Sequence, residues 1–170
     1  MCDHSWLPPG LAFVDEGGGW PAHWDALHAR FCKDLVEHTP VFHGLPVRVP
    51  KSRDDEGKLT KFVHVATGHW KLDPANEREI KLGRCSTVTW IRPMIEAVGG
   101  QRGVRAWREW YQQKSEFRWS IALQDFCHLV ILAERPNAYY LVTAYPVEEQ
   151  HQRDGLRRRF ERETRPPKKS

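Results

Sequence analysis

The sequence predicts an α+β fold: N-terminal helices, then an antiparallel sheet, then a charged C-terminal helix. Three observations carry this. Trp20, Trp24, Leu27, Phe31 and Leu35 fall at steps of 4, 3, 4 and 4, one face of a helix. Two strongly β-prone runs, "FCHLVILAE" (126–134) and "YYLVTAYPV" (139–147), are separated by Arg135-Pro136-Asn137-Ala138, which reads as a β-hairpin. Beyond Pro146, residues 149–163 are charged and helix-prone, with only Leu156 and Phe160, four apart, to pack inward. Helix first and sheet later is the α+β order.

Taken in order, the segment to Gly19 is rich in Gly and Pro and reads as an irregular arm. A helix from about Pro21 to His38 comes next, with Pro21 suited to its first turn and Thr39-Pro40 closing it. "VFHGLPVRVP" suggests short strands or an extended connection, and "KSRDDEGK" (51–58) a polar loop. "KLTKFVHVATGHW" reads as a strand, with Phe62, His64 and Ala66 on one face. Asp73-Pro74 opens a short helix through about Leu82. "CSTVTWI" looks strand-like, and "RPMIEAVGG" a brief helix starting at Pro93. Residues 104–113 carry Val104, Trp107, Trp110 and Tyr111 at helical spacing. The expected organisation is an arm (1–19), one domain (20–150), and a basic helix and tail (151–170).

Length and composition narrow the class. A chain of 170 residues fits one core. No apolar run approaches the roughly 20 residues of a membrane span, and no basic patch followed by an apolar stretch marks a secretion signal. Cys2, Cys32, Cys85 and Cys127 form no close pair, so a reduced, cytoplasmic protein is expected. The net charge of +4 is unevenly spread. Residues 1–47 carry 2 basic and 6 acidic side chains, and residues 48–118 carry 15 and 9. Residues 119–152 carry 1 and 4, and the last 18 carry 8 and 3. A basic middle and a basic tail point to a polyanionic partner, although a run such as Arg157-Arg158-Arg159 also suits a solvated helix face.

Several chemistries are excluded or disfavoured. Gly17-Gly18-Gly19 lacks a preceding strand and a following Lys-Ser or Lys-Thr, so it is no phosphate-cradling loop. His28 and Cys32, with Cys127-His128 or Cys85, could build a zinc site, but paired short spacings are missing and no metal or cofactor is expected. A serine-nucleophile elbow is absent. What remains is a His, Lys, Arg, Thr and Tyr set, the groups of metal-free phosphodiester cleavage in RNA. That reaction needs a base for the 2′-hydroxyl, an acid for the leaving oxygen, and cations for the phosphorane. His64 sits mid-run with His69 five residues later, and Lys71, Arg78, Lys81, Arg84 and Arg92 supply charge in the same stretch. Thr143 and Tyr145, two apart on a strand, point to one face. Singly, each of these also suits a core or surface role.

The C-terminal strands "CHLVILAE" and "YYLVTAYPV" resemble the last strands of the barnase, EndoU, colicin-nuclease and RelE superfamily of toxin-like ribonucleases. The resemblance covers about 30 residues, roughly 117–147. It implies that Thr143 and Tyr145 line an active site, with His64 and Arg84 as further catalytic residues. His69, Lys71 and Arg92 become substrate-binding candidates. It also implies a toxin or anti-phage endoribonuclease acting on RNA, held by an antitoxin or immunity partner, with no membrane partner. The competing readings are a non-catalytic nucleic-acid-binding module, using the Arg-rich tail and the Trp/Arg interleaving at 107–119, and another transferase such as an ADP-ribosyltransferase.

Overall fold

Among the residues that the computed structural model describes, 4–13, 18–69 and 78–166, six strands form the main sheet. They are β1 (Val41–Phe42), β2 (Leu45–Arg48), β5 (Val104–Tyr111), β6 (Glu116–Leu123), β7 (His128–Arg135) and β8 (Ala138–Pro146). A two-stranded ribbon pairs β3 (Thr67–His69) with β4 (Arg78–Ile80). The order across the main sheet is β1-β2-β8-β7-β6-β5, so the predicted hairpin supplies its two central strands. The fold is α+β, as the pattern of elements predicts. The sheet, however, is mixed: β2 runs parallel to β8 through Val47↔Tyr139 and Arg48↔Tyr140. The long excursion through residues 49–137 between these strands is what permits a parallel pairing.

The first helix, α1 (Gly19–Cys32), continues as a π-helical turn, Lys33–Glu37, close to the span the periodicity predicts. Leu27, Phe31 and Leu35 are buried from it, as their spacing requires. Then β1 and β2 join through His43-Gly44, both at positive φ (47° and 79°). Two central turn residues of that kind match the right-handed twist of the strands they connect.

Three predicted elements are replaced by others. The run 59–66 is not a strand but a helix, α2 (Thr60–Ala66). Phe62, Val65 and Ala66 are its buried residues, with buried Leu59 just before it, and their helical spacing outweighs the β-branched content. "CSTVTWI" is likewise not a strand. Cys85 and Ser86 end helix α3 (Leu82–Ser86), and Val88–Trp90 form a 3-10 turn leading into α4 (Ile91–Glu96), the brief helix expected there. The predicted helix at 104–113 is strand β5, because its residues pair one for one with β6, from Val104↔Leu123 to Tyr111↔Glu116. The expected helix from Asp73 to Leu82 lies partly outside the described residues; within them, Arg78–Ile80 is strand.

Each face of the sheet is covered. On one face α1, α2, α3 and α4 pack on Val47, Ile121, Val130, Leu132, Leu141 and Ala144. Phe62 is the centre of this layer, with its ring 4.6 Å from Trp24 and 5.6 Å from Phe31. On the other face α5 (Gln150–Thr164) lays Leu156 and Phe160 over Trp107, Phe126 and Leu129. The predicted pairing of Leu156 with Phe160 therefore holds. Residues 4–13 are irregular in the structure, yet Leu7 is buried and the Pro8 carbonyl accepts the Trp90 indole N–H at 2.9 Å.

One irregularity decides which side chains of β8 share a face. Between β7 and β8 the register slips: Leu132 faces Leu141, but Ile131 faces Thr143, so Val142 is a bulge residue. The Val142 carbonyl is taken up by the Lys61 ammonium of α2 at 2.8 Å. A hydrogen bond from a charged donor contributes about 1.5–3 kcal/mol. Lys61→Met is expected to lower the unfolding free energy by an amount in that range, read as a lower denaturant midpoint with an unchanged m-value. An unchanged midpoint would show that the bulge does not depend on this contact.

Candidate active site

The bulge reverses the facing of β8. Before it, Tyr139 and Leu141 point into the helical-layer core; after it, Ala144 does. Thr143 and Tyr145 therefore turn together to the opposite face, where Tyr145 packs against the α5 cluster. β2 pairs with β8 only at Tyr139 and Tyr140, so among the described residues no strand pairs with the later half of β8 on that edge. Helices α2 and α3 lie against it instead. Helix α3 is held there by the buried Cys85 and by Lys81 N–H donating to the Ala66 carbonyl at 3.2 Å.

Arg84 is thereby delivered over Tyr145, its guanidinium carbon 5.0 Å from the ring centroid. One guanidinium N–H donates to the Thr67 carbonyl at 3.0 Å, fixing the group in place. These two residues line a cleft of about 500 Å³, with Lys81, Glu148, Gln152 and Arg159 around them. Arg159 comes from α5 and is itself steadied by Glu109, whose Oε2 accepts its Nε–H at 3.1 Å. Burial pushes the Arg84 guanidinium below the ordinary arginine value, against the pull of Tyr145 and Glu148. Burial also raises the Tyr145 phenol, outweighing Arg159 and Arg84. The phenol is thus a neutral hydrogen-bond donor in a cleft lined by the cations Lys81, Arg84 and Arg159 and by the carboxylates Glu148 and Glu149. Such a cleft suits a phosphate ester, which takes charge-assisted bonds from arginine and a neutral donor at one oxygen.

The other predicted site residues are spread more widely. His64 stands on α2 rather than on a strand, one turn beyond Lys61 and so on the same helix face. Thr143 shares the Tyr145 face, but neither it nor His64 is among the described residues that line the cleft. His69 is in β3, where it pairs with Arg78. Lys71 lies outside the described residues. Arg92 is on α4, paired with Glu96 at 2.9 Å, and is not among the lining residues. The His28–Cys32 pair considered for zinc is a hydrogen-bonded pair at 3.4 Å, and His28 Nε2 also accepts the Leu59 N–H at 3.1 Å.

Two further groups carry no local signal in the sequence. Arg159 is one charge in an arginine run, and only the packing of Leu156 and Phe160 decides which arginine faces the cleft. His128 opens an apolar run and is fully buried behind α3. The Thr87 hydroxyl donates to the Gly83 carbonyl at 3.0 Å, so His128 Nε2–H donates to Thr87 Oγ1 at 3.1 Å. Burial, with the Arg84 charge adding to it, pushes the imidazole down to about 3, so it is neutral. His128 thereby ties β7 to the helix that carries Arg84.

No helix among the described residues is long and apolar enough to cross a membrane. In comparisons with protein-family models, with curated proteins and with solved structures, nothing matches this chain, so the functional reading stands on the geometry of the cleft.

Proposed function

We propose that this chain is a metal-independent endoribonuclease whose active site is the cleft under Arg84. The observation that carries the reading is the half-buried Arg84 guanidinium lying over a protonated Tyr145, with Lys81 and Arg159 beside them. Such a cleft holds an RNA phosphodiester by its non-bridging oxygens. The 2′-hydroxyl attacks the adjacent phosphorus, the P–O5′ bond breaks, and a 2′,3′-cyclic phosphate and a 5′-hydroxyl result. Arg84 and Lys81 neutralise the charge that grows on the phosphorane. Tyr145 donates to the leaving oxygen or to the phosphorane, and Thr143 assists from the same strand face. His64, on the helix clamped to the Val142 bulge, is outside the lining of the cleft and is the proposed base for the 2′-hydroxyl proton, a role that requires the RNA backbone to run from the cleft to α2. A chain with this activity harms the cell that makes it, which calls for an antitoxin or immunity partner.

A specific feature favours the binding-module reading instead. At the β5–β6 end Trp110 is 54% exposed beside the exposed Phe117, their rings 4.8 Å apart. Arg108 lies 3.5 Å over Phe117, and Arg118 lies 3.7 Å over Tyr111. Stacking surfaces for single strands combine these groups. Both arginines are already paired, however, Arg108 with Glu134 at 2.7 Å and Arg118 with Glu116 at 2.7 Å. Their charge is neutralised within the sheet, as that of Arg159 is by Glu109, whereas Arg84 donates to a neutral carbonyl, which leaves the Arg84 cleft as the better phosphate site.

Incubating the purified protein with total RNA, with and without EDTA, separates the readings. Cleavage that survives chelation and leaves cyclic-phosphate ends is expected. Binding without cleavage would replace the enzyme by the module, and cleavage that stops with EDTA while the fold, followed by circular dichroism and thermal midpoint, is unchanged would overturn the metal-free chemistry.

A further inference from the structure

A second cluster of chemistry-bearing side chains lies at the β6–β7 turn, and none of its members lines the Arg84 cleft. His4 from the N-terminal arm, Asp125 from the turn and Cys127 just before β7 bring an imidazole nitrogen, a carboxylate oxygen and a thiol sulfur within 4.8 Å of one another. His4 Nε2 is 3.1 Å from Asp125 Oδ2, across 121 positions of sequence. All three are half-buried. We propose that these residues form a zinc site, with water in the fourth position, that clips the N-terminal arm to the sheet.

The geometry is close to what the metal needs. Zinc bonds of about 2.0–2.3 Å in a tetrahedron put ligand atoms about 3.3–3.8 Å apart. The cluster therefore closes on an ion by shifts of about 1 Å. Its backbone is already fixed. Asp125 Oδ1 accepts the Cys127 N–H at 3.1 Å, and the Cys127 carbonyl accepts the Val147 N–H at 2.7 Å. Phe126 between them adopts φ 60°, uncommon for a bulky residue, while its ring is buried in the α5 core. On the arm side, the His4 ring stacks on Trp90 at 6.3 Å, and Trp90 in turn holds Pro8.

The donor set chooses the ion. One sulfur, one nitrogen and one oxygen suit a borderline-soft divalent cation and not calcium or magnesium, which take oxygen. On binding, the Cys127 thiol proton passes to solvent, so thiolate and carboxylate together balance the 2+ charge. The competing arrangement is a plain hydrogen-bonded trio, with the thiol donating to Asp125. The two differ in whether cobalt meets a thiolate.

The test is a titration of the full metal-free chain with Co²⁺, read by thiolate-to-cobalt charge-transfer absorption and displaced by Zn²⁺. One equivalent is expected. Cys127→Ser keeps a hydroxyl donor for Asp125 and should lose the band with the fold intact by circular dichroism. His4→Ala lies in the arm and should weaken binding at least about tenfold. Cys32→Ser should bind as the parent does. Zn²⁺ should raise the thermal midpoint of the parent and not of Cys127→Ser. Absence of the band, or its survival in Cys127→Ser, would leave the hydrogen-bonded trio and overturn the site. Loss of the band in Cys32→Ser would move it to the His28–Cys32 pair and also overturn it. The inference is independent of the ribonuclease reading, because its readout is metal binding.

Discussion

Tyr145→Phe is expected to cut RNA turnover by about 10²–10⁴ and Arg84→Ala by about 10²–10³, the losses typical of a positioned proton donor and of an oxyanion-type cation. The two substitutions separate chemistry from architecture. Tyr145→Phe keeps the ring that Arg84 lies over at 5.0 Å and removes only the hydroxyl. Its fold should be intact, and its loss should appear in kcat rather than in KM. Arg84→Ala also removes the donor to the carbonyl of the buried Thr67, so some loss of stability accompanies it. Arg84→Lys should not rescue activity, because a point charge cannot both lie over the ring and reach the carbonyl as the planar guanidinium does. Thermal midpoints measured beside single-turnover rates keep the two effects apart. Full activity in both Tyr145→Phe and Arg84→Ala would remove the cleft from the mechanism.

How much of this is legible in the sequence depends on where each element gets its stability. The β7–β8 hairpin is legible because its strands are apolar on both faces and its turn is short. The first helix is legible because Leu27, Phe31 and Leu35 keep their spacing over several turns. The strand-like reading of 59–66 fails because β-branched Val63 and Val65 point to a strand locally, while burial of Leu59, Phe62 and Ala66 in the core, with Phe62 against Trp24 and Phe31, decides for a helix. The helical reading of 104–113 fails for the opposite reason. Trp107 at a helical step from Val104 and Trp110 is coincidence, and pairing with β6 is a long-range fact that no local window contains.

The site divides along the same line. Thr143 and Tyr145 share a face because they are two apart on a strand, a relation the sequence carries by itself. That this face meets Arg84 depends on the bulge at Val142, without which Leu141 and Thr143 would point the same way. Arg84 reaches Tyr145 because α3 replaces a strand along β8. Arg159 arrives from a helix on the far face. Neither placement leaves a local mark. His128 shows the limit most clearly, since nothing in "FCHLVILAE" distinguishes a buried neutral imidazole from an exposed one.

Val130→Asp is expected to abolish cooperative folding. Val130 is fully buried on β7, between Ile121 on β6 and Ala144 on β8, and faces the core under the helical layer. A carboxylate there has no partner. The effective penalty for burying an unpaired ion is several kcal/mol, and the valine's own burial is lost as well. Against a total stability of about 5–15 kcal/mol, that leaves little or no folded population. Asn137→Ala, in the exposed turn of the same hairpin, should change stability by no more than about 0.5 kcal/mol. The comparison uses one hairpin, so it tests placement rather than strand propensity. Chemical denaturation followed by tryptophan fluorescence reads both variants, since Trp119 lies in the neighbouring strand β6. A Val130→Asp protein with a parent-like cooperative transition would mean that this face of β7 is open to solvent, and the central position of the hairpin would have to be given up.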